Sequence, residues 1–290
     1  MPYSLSEHAR NAAIVAGFAR ASRHYVTVQF LLAGQALGMG EKRTCMFCDG
    51  RASTKEDAWP LWLVRMFPEP PGGVSVEAER KGTVLEPWRQ RGHFMKIRYV
   101  CQSCNNGWMS ALENEAKPLI QRLLSDGVVD LEKEREIIAR WVLKTCMVFE
   151  AAGGSGWFYT KAERSTVREG TIPAGYTAFW AARCVDLSAI YCNAYNLFEG
   201  RVASTSGVHG HVTSMAFGTL ALQTMTVRPS DAVRPGVAIR LDGVNEEPWP
   251  NAAPQLWPPI VAFQWPPTVG LAGELGVNAF SDRFRPSRAS

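Results

Sequence analysis

Hydrophobic and polar positions change their period along this chain, and the changes divide it. Ile137, Ile138, Trp141, Val142, Cys146 and Phe149 recur at helical spacing and form a wide apolar stripe. Asp130 precedes the stripe as an N-cap, Glu132 and Glu134 follow where acids suit the helix dipole, and Gly153-Gly154 ends it. The pattern predicts a core helix. A second helix is predicted from Asn105 to about Leu124, on the register Met109, Leu112, Ala116 and Leu119, with a break allowed at Pro118. From about residue 157 the pattern turns β-like: "YTAFWAARC", "IYCNAYNLF" and "VTSMAFGTLALQTMTV" are aromatic and β-branched runs bounded by Gly and Pro. The tail "QLWPPIVAFQWPP" sets short apolar runs against prolines, which suits edge strands. Between residues 68 and 93, "PEPPGGVSVEAERKGTVLEPWRQRGH" reads as a long loop or loose hairpin.

These elements predict an α+β fold in three parts. Residues 1–41 read as a mostly helical extension, rich in Ala and Arg and poor in acids. That composition mimics an organellar transit peptide, and a peripheral helix is the simpler reading. Residues 42–125 carry two cysteine pairs, and 126–290 hold the core helix and a β-rich C-terminal region. With 46% hydrophobic and 20% charged residues among 290, the chain can bury a sizeable core. A net charge of +4 permits contact with nucleic acid without requiring it. No run of about 18 apolar residues and no signal-peptide pattern is present, so the expectation is a soluble cytoplasmic protein.

Seven cysteines, an odd number, argue against a secreted disulfide framework. Cys146, Cys184 and Cys192 lie in apolar runs and read as small buried hydrophobes. The other four form two C-x-x-C pairs, Cys45 with Cys48 and Cys101 with Cys104. Two such knuckles can bring four soft thiolates into the tetrahedron that structural zinc prefers. The intervening residues 49–100 exceed the usual zinc-ribbon spacing of roughly 15 to 20, at little cost in closure entropy. Neither pair begins a helix after a strand in a βαβ setting, which disfavours a thioredoxin-like redox pair.

The stretch "CMFCDG…STKEDAWPLWL…VCQSCNNGWMSALE" resembles the four-cysteine zinc branch of the HNH, or ββα-metal, endonucleases. "ARWVLKTCMVFE" and "LWPPIVAFQWPP" also resemble bacterial HNH-like proteins of unknown role, which extends the resemblance over residues 42 to about 285. The segment 101–113 is its most specific part. The resemblance implies a zinc-stapled ββα module with Cys45, Cys48, Cys101 and Cys104 as zinc ligands. It implies that Glu56 stands where the family has an acid that helps hold a catalytic divalent ion, Mg²⁺ or Mn²⁺. Asn105 stands at the closing His or Asn, and Asp57 where the family has its general-base histidine.

Asp57 departs from the pattern in a way that matters. An imidazole near pKa 6.5 accepts a proton at neutral pH, and an exposed aspartate near 3.9 is a far weaker base. General-base catalysis supplies about 100- to 10,000-fold, so its loss leaves a nuclease slow or inactive unless another group substitutes. Asp57 as a second carboxylate on Mg²⁺, or His93 swinging in from the inter-knuckle loop, are the alternatives. The family's central Asn has no match in "HFMKIRYV".

Around the knuckles, Arg80, Lys81, Arg89, Arg91, Lys96 and Arg98 interleave with Trp88, Phe94 and Tyr99, a strip able to neutralise phosphates and stack on bases, or simply a solvated hairpin. Trp59, Trp62 and Trp108 read as packing around the knuckles, and His209 and His211 lack nearby partners for a metal. The expected function is an HNH-like endonuclease acting on DNA or RNA, or a degenerate descendant that binds without cutting. The alternative is a non-catalytic zinc-knuckle protein whose C-terminal region binds a protein partner or assembles with copies of itself. Convergence of Glu56, Asp57 and Asn105 on one solvent-open point would favour the first, and scatter the second.

Overall fold

The computed structural model describes residues 27–31, 43–67, 74–80, 83–84, 88–90, 96–127, 131–153, 158–173, 176–187, 190–197, 208–229, 248–259 and 265–284. In chain order, the first strands are β1 (Thr27–Leu31), β2 (Thr54–Asp57), β3 (Val74–Arg80), β4 (Thr83–Val84), β5 (Trp88–Gln90) and β6 (Lys96–Val100). A helical turn (Gln102–Cys104) and a π-helical turn (Asn105–Met109) then lead into helix α1 (Ser110–Leu124). Helices α2 (Leu131–Gly153) and α3 (Lys161–Arg168) follow, then strands β7 (Tyr176–Val185), β8 (Ile190–Leu197), β9 (Val208–Phe217) and β10 (Leu220–Pro229). The chain closes with β11 (Gln255–Trp257), β12 (Leu271–Ala272) and α4 (Gly273–Asp282). The protein is α+β, with a β-rich C-terminal region as the sequence pattern predicts.

Ten strands join one sheet whose main path is β11-β7-β10-β9-β8-β1-β3-β4, while β12 pairs with β7 and β5 with β3. Its centre is the hairpin β9–β10, in register from Phe217↔Leu220 to Val208↔Pro229. Gly218 opens the turn at φ +57°, and a Cβ there would meet the Phe67 ring at 2.7 Å, so only glycine serves. Around β7–β10 the sheet is covered on both faces, which is why these strands read as nearly continuous apolar runs. Phe179, Ala181, Met215, Phe217 and Leu222 share a core with Trp141, Val142 and Phe149 of α2. The alternate residues Trp180, Ala182, Val212, Ala216 and Ala221 pack with Val277 and Phe280 of α4. Cys146, Cys184 and Cys192 are fully buried in these cores, as expected.

Two local features add to these expectations. Within the extension 1–41, expected to be mostly helical, the described residues Thr27–Leu31 form strand β1, parallel to both β3 and β8, and the remainder lies outside the described residues. Its alternating TVQFL has the period of a strand, and the Ala- and Arg-rich residues around it mask that pattern. Pro118 does not break α1, which continues through it and anchors Leu119, Ile120 and Leu123 in the core. The backbone irregularity lies earlier, at Gly107 (φ −93°, ψ −112°).

A second, two-stranded sheet pairs β2 with β6 antiparallel, Glu56 opposite Ile97 and Asp57 opposite Lys96. The chain leaves β6 directly into the helical turns and α1, so both cysteine pairs flank this strand pair.

Candidate metal centre

Backbone bonds shape the first knuckle. Thr44 and Arg51 form a β-bridge, the Cys45 amide donates to the Gly50 carbonyl at 2.7 Å, and the Ala52 amide to that of Arg43 at 2.9 Å. The loop so closed turns its Gly50 amide onto Cys48 Sγ at 3.3 Å. A Cβ on residue 50 would stand 3.3 Å from Cys48 Sγ and 3.6 Å from Cys101 Sγ, so glycine keeps the sulfurs' side of the loop open. The Met46 amide donates to the Tyr99 carbonyl at 2.7 Å and fastens the knuckle to β6. In the second knuckle, Cys101 is the N-cap of the helical turn, its sulfur accepting from the Cys104 amide at 3.4 Å.

All four sulfurs lie within 4.8 Å of one another, and Cys48 Sγ and Cys101 Sγ are 3.5 Å apart. A tetrahedral zinc with Zn–S bonds of about 2.3 Å sets its sulfurs about 3.8 Å apart, which is the scale of this cluster. The donors fit a structural zinc ion: soft, four in number, and backed by backbone amides. Four thiolates leave no open coordination position for a substrate. Cys45, Cys101 and Cys104 are buried and Cys48 is half-buried. Phe47, from the first knuckle, meets Trp108, just past the second, edge-on at 4.9 Å. Among the described residues this is the one group of three or more His, Cys, Asp or Glu placed to hold a metal.

The thiols differ without a metal. Burial raises Cys104 well above the ordinary thiol range and also raises Cys48. At Cys101 burial pushes the same way, but the Ser103 hydroxyl, the Cys104 amide and the neighbouring thiols outweigh it and bring the group down to about 6. Cys101 is therefore the readiest to act as a thiolate ligand.

The residues at the expected catalytic positions occupy three different environments. Successive strand residues face opposite sides. Glu56 faces inward and is buried, and burial raises its pKa to about 7 against the pull of Lys144. Asp57 faces outward and pairs with Lys96 at 2.8 Å. The Asn105 amide donates to the Thr54 hydroxyl at 3.2 Å. Of the basic strip, Lys96 and Arg98 are exposed on the outer side of β6, with Arg51 and Lys55 exposed nearby and Arg43 over the Tyr99 ring at 5.1 Å. The side chain of Arg89, in β5, and all of Arg91 and His93 lie outside the described residues.

Trp59 stacks edge-on against Phe149 and Phe217, and Trp62 lies 6.1 Å from Trp141, so both are packing residues as expected. His211 is buried and stacked on Phe158, with Nε2 3.2 Å from the Thr213 hydroxyl, while the His209 side chain lies outside the described residues. Beside it, Glu150 accepts from the Phe158 and Tyr159 amides, and the Tyr159 hydroxyl meets that of Thr226 at 3.3 Å.

Sequence reasoning missed two residues that brace the unit. Lys144, fully buried in α2, pairs with Glu113 of α1 at 2.7 Å. Arg164 of α3 donates Nε to the Met46 carbonyl inside the first knuckle at 2.8 Å. The signal for Lys144 is a lysine three residues after Trp141, within the apolar stripe. The signal for α3 is the capping box Thr160-x-x-Glu163. No family model, curated protein or solved structure matches this chain.

Proposed function

We propose that Cys45, Cys48, Cys101 and Cys104 bind one structural zinc ion, and that β2, β6 and α1 are a zinc-stapled ββα module similar in plan to the HNH-like nucleases. In this reading the module binds nucleic acid without cutting it. The observation that carries the proposal is the sulfur cluster, four thiols within 4.8 Å on two knuckles that flank one strand pair. The turning apart of Glu56 and Asp57 supports a non-cleaving role, because a general base and a metal-holding acid must meet at one reacting point; taken alone it favours the protein-binding scaffold, and the exposed basic side chains are what weigh for nucleic acid. The outer side of β2–β6, with Lys55, Lys96 and Arg98 exposed, and the exposed Arg51 of the first knuckle support a polyanionic partner.

Two measurements test this. Elemental analysis should give one zinc per chain, and fluorescence anisotropy should show oligonucleotide binding that weakens steeply with salt. Plasmid and oligonucleotide assays with Mg²⁺ or Mn²⁺ should show no cleavage, with no gain in Asp57→His, since Glu56 stays turned inward. Robust wild-type cleavage would refute the non-cleaving role. Zinc present with no salt-sensitive binding would shift the assignment to a protein-binding scaffold.

A further inference from the structure

The first knuckle is anchored from outside the cysteine unit as well as from within it. Met46, between Cys45 and Cys48, is buried and fastened on both sides of its backbone. Its amide donates to the Tyr99 carbonyl of β6 at 2.7 Å, and its carbonyl accepts from Arg164 Nε of α3 at 2.8 Å. Strand β6 runs on into Cys101, so the first anchor ties one knuckle to the other. The second anchor reaches a separate part of the structure. Arg164 is buried, and its Nη1 also donates to the Tyr159 carbonyl, so one planar guanidinium spans the knuckle and the start of α3. That start is itself held by the core. Glu150 of α2 accepts from the Phe158 and Tyr159 amides. Arg228 of β10 donates Nη1 to the Phe158 carbonyl at 2.7 Å and grips both carboxylate oxygens of Glu163.

We propose that Arg164 is a positioning residue for zinc retention: through it, α3 and the sheet core hold Cys45 and Cys48 in place and set how slowly zinc leaves the four sulfurs. The inference rests on reading the cysteine cluster as a zinc site. A closed four-thiolate site releases its ion only after a ligand moves off. Cys101 and Cys104 are carried by β6 and the helical run into α1, whereas Cys45 and Cys48 sit on a loop. The loop is the part that opens first. Of the bonds from α3 to this loop, the Lys161–Asp49 pair is exposed and weak. The Arg164 bond is buried and charge-assisted, and it holds the backbone between the two ligands themselves.

Arg164→Lys keeps the charge but loses the fixed fork that spans two carbonyls. Zinc-loaded full-length protein, mixed with an excess of a chromogenic chelator, should give up its ion about tenfold faster or more in this variant than in wild type, the scale of one charge-assisted hydrogen bond. Lys161→Ala, on the same helix, should release at the wild-type rate. Val277→Ala thins the core under α4 on the far face of the sheet; it should lower the melting temperature and leave the release rate unchanged. Equal rates in Arg164→Lys and wild type, or rates that simply follow the melting temperature through the three variants, would overturn the proposal. Reciprocity supplies a check that needs no variant, because a helix that helps to hold zinc must be held by it in turn. Zinc loading of wild type should slow hydrogen exchange at the amides of residues 158–168 and leave β9 and β10 unchanged. Exchange in 158–168 that is indifferent to zinc overturns the assignment. A wild-type protein without zinc fails the metal reading and this one together, whereas bound zinc with equal release rates fails this one alone.

Discussion

The knuckle unit and the α2–sheet core carry similar residue types to opposite ends. In the first, four cysteines face one another across loops backed by only two short strands and α1. In the second, Cys146, Glu150, Tyr159 and His211 sit between a long helix and a ten-stranded sheet. Most polar groups there have a neighbour that answers them: Cys146 lies 3.5 Å from the Thr224 hydroxyl, Tyr159 meets Thr226, His211 meets Thr213, and Glu150 accepts two amides through one of its oxygens. Burial pushes the Cys146 thiol up to about 12, out of reach of nucleophilic or ligand chemistry at neutral pH. A cysteine, a histidine and a glutamate near one another are therefore not a site. What distinguishes the knuckles is mutual facing of like donors, which a core of this kind avoids unless an ion repays the burial.

The comparison is broken most directly at Cys104. Structural zinc contributes on the order of 10 kcal/mol to small zinc domains, far more than the two short strands supply. Cys104→Ser should therefore strip hydrogen-exchange protection from β2, β6 and α1 and leave β9 and β10 protected. Unchanged protection in β6 would reduce the cluster to ordinary core thiols. A smaller effect should come from pH. Burial raises Glu150 from 4.5 to about 8, against the Phe158 and Tyr159 amides and Arg164. The folded state thus holds a proton that the unfolded chain releases, so stability falls as pH rises from about 4.5 to 8. Glu56 adds the same sign up to about 7. His211, lowered by burial to about 4, has the opposite sign, gaining stability from about 4 to 6.5. From about 4.5 to 6.5 His211 cancels only one of the two falling terms, so a net decline of about 1.4 kcal/mol per pH unit should run from there towards 8, steepest just above 6.5 where His211 no longer opposes it. Denaturant midpoints should show it in wild type, and Glu150→Gln should flatten it. Least of all should follow from Lys161→Ala. The pair with Asp49 links α3 to the first knuckle at an exposed position, so no resolvable change in midpoint is expected.

Much of this was legible in the sequence where the signal is local. The core helix and the run into α1 follow from periodicity, because one face of each is apolar over many residues, and β7–β10 follow from aromatic and β-branched runs that are buried on both faces. The cysteine pairs were legible because metal ligation fixes residue type and spacing together. Lys144 was not, because its meaning depends on Glu113, thirty-one residues earlier and on another helix. Strand β1 was missed for a related reason: parallel partners need no turn between them, so the pairings of β1 with β3 and β8 leave no hairpin signature. Nor does spacing reveal that Glu56 and Asp57 turn apart. That follows from the strand that carries them, which forms only against β6.

The place of β1 has a consequence for synthesis. It is the junction of the large sheet, joining β8 on one side to β3 on the other, yet it leaves the ribosome long before β8 exists. Until then β1 can pair only with β3, and its other edge presents unbonded amides and carbonyls to any passing chain. Closing the sheet waits for a contact between distant parts of the sequence, the kind of step that makes folding slow and leaves intermediates open to aggregation. A growing chain of this protein is thus most in need of a chaperone in the interval between the appearance of β3 and the arrival of β8.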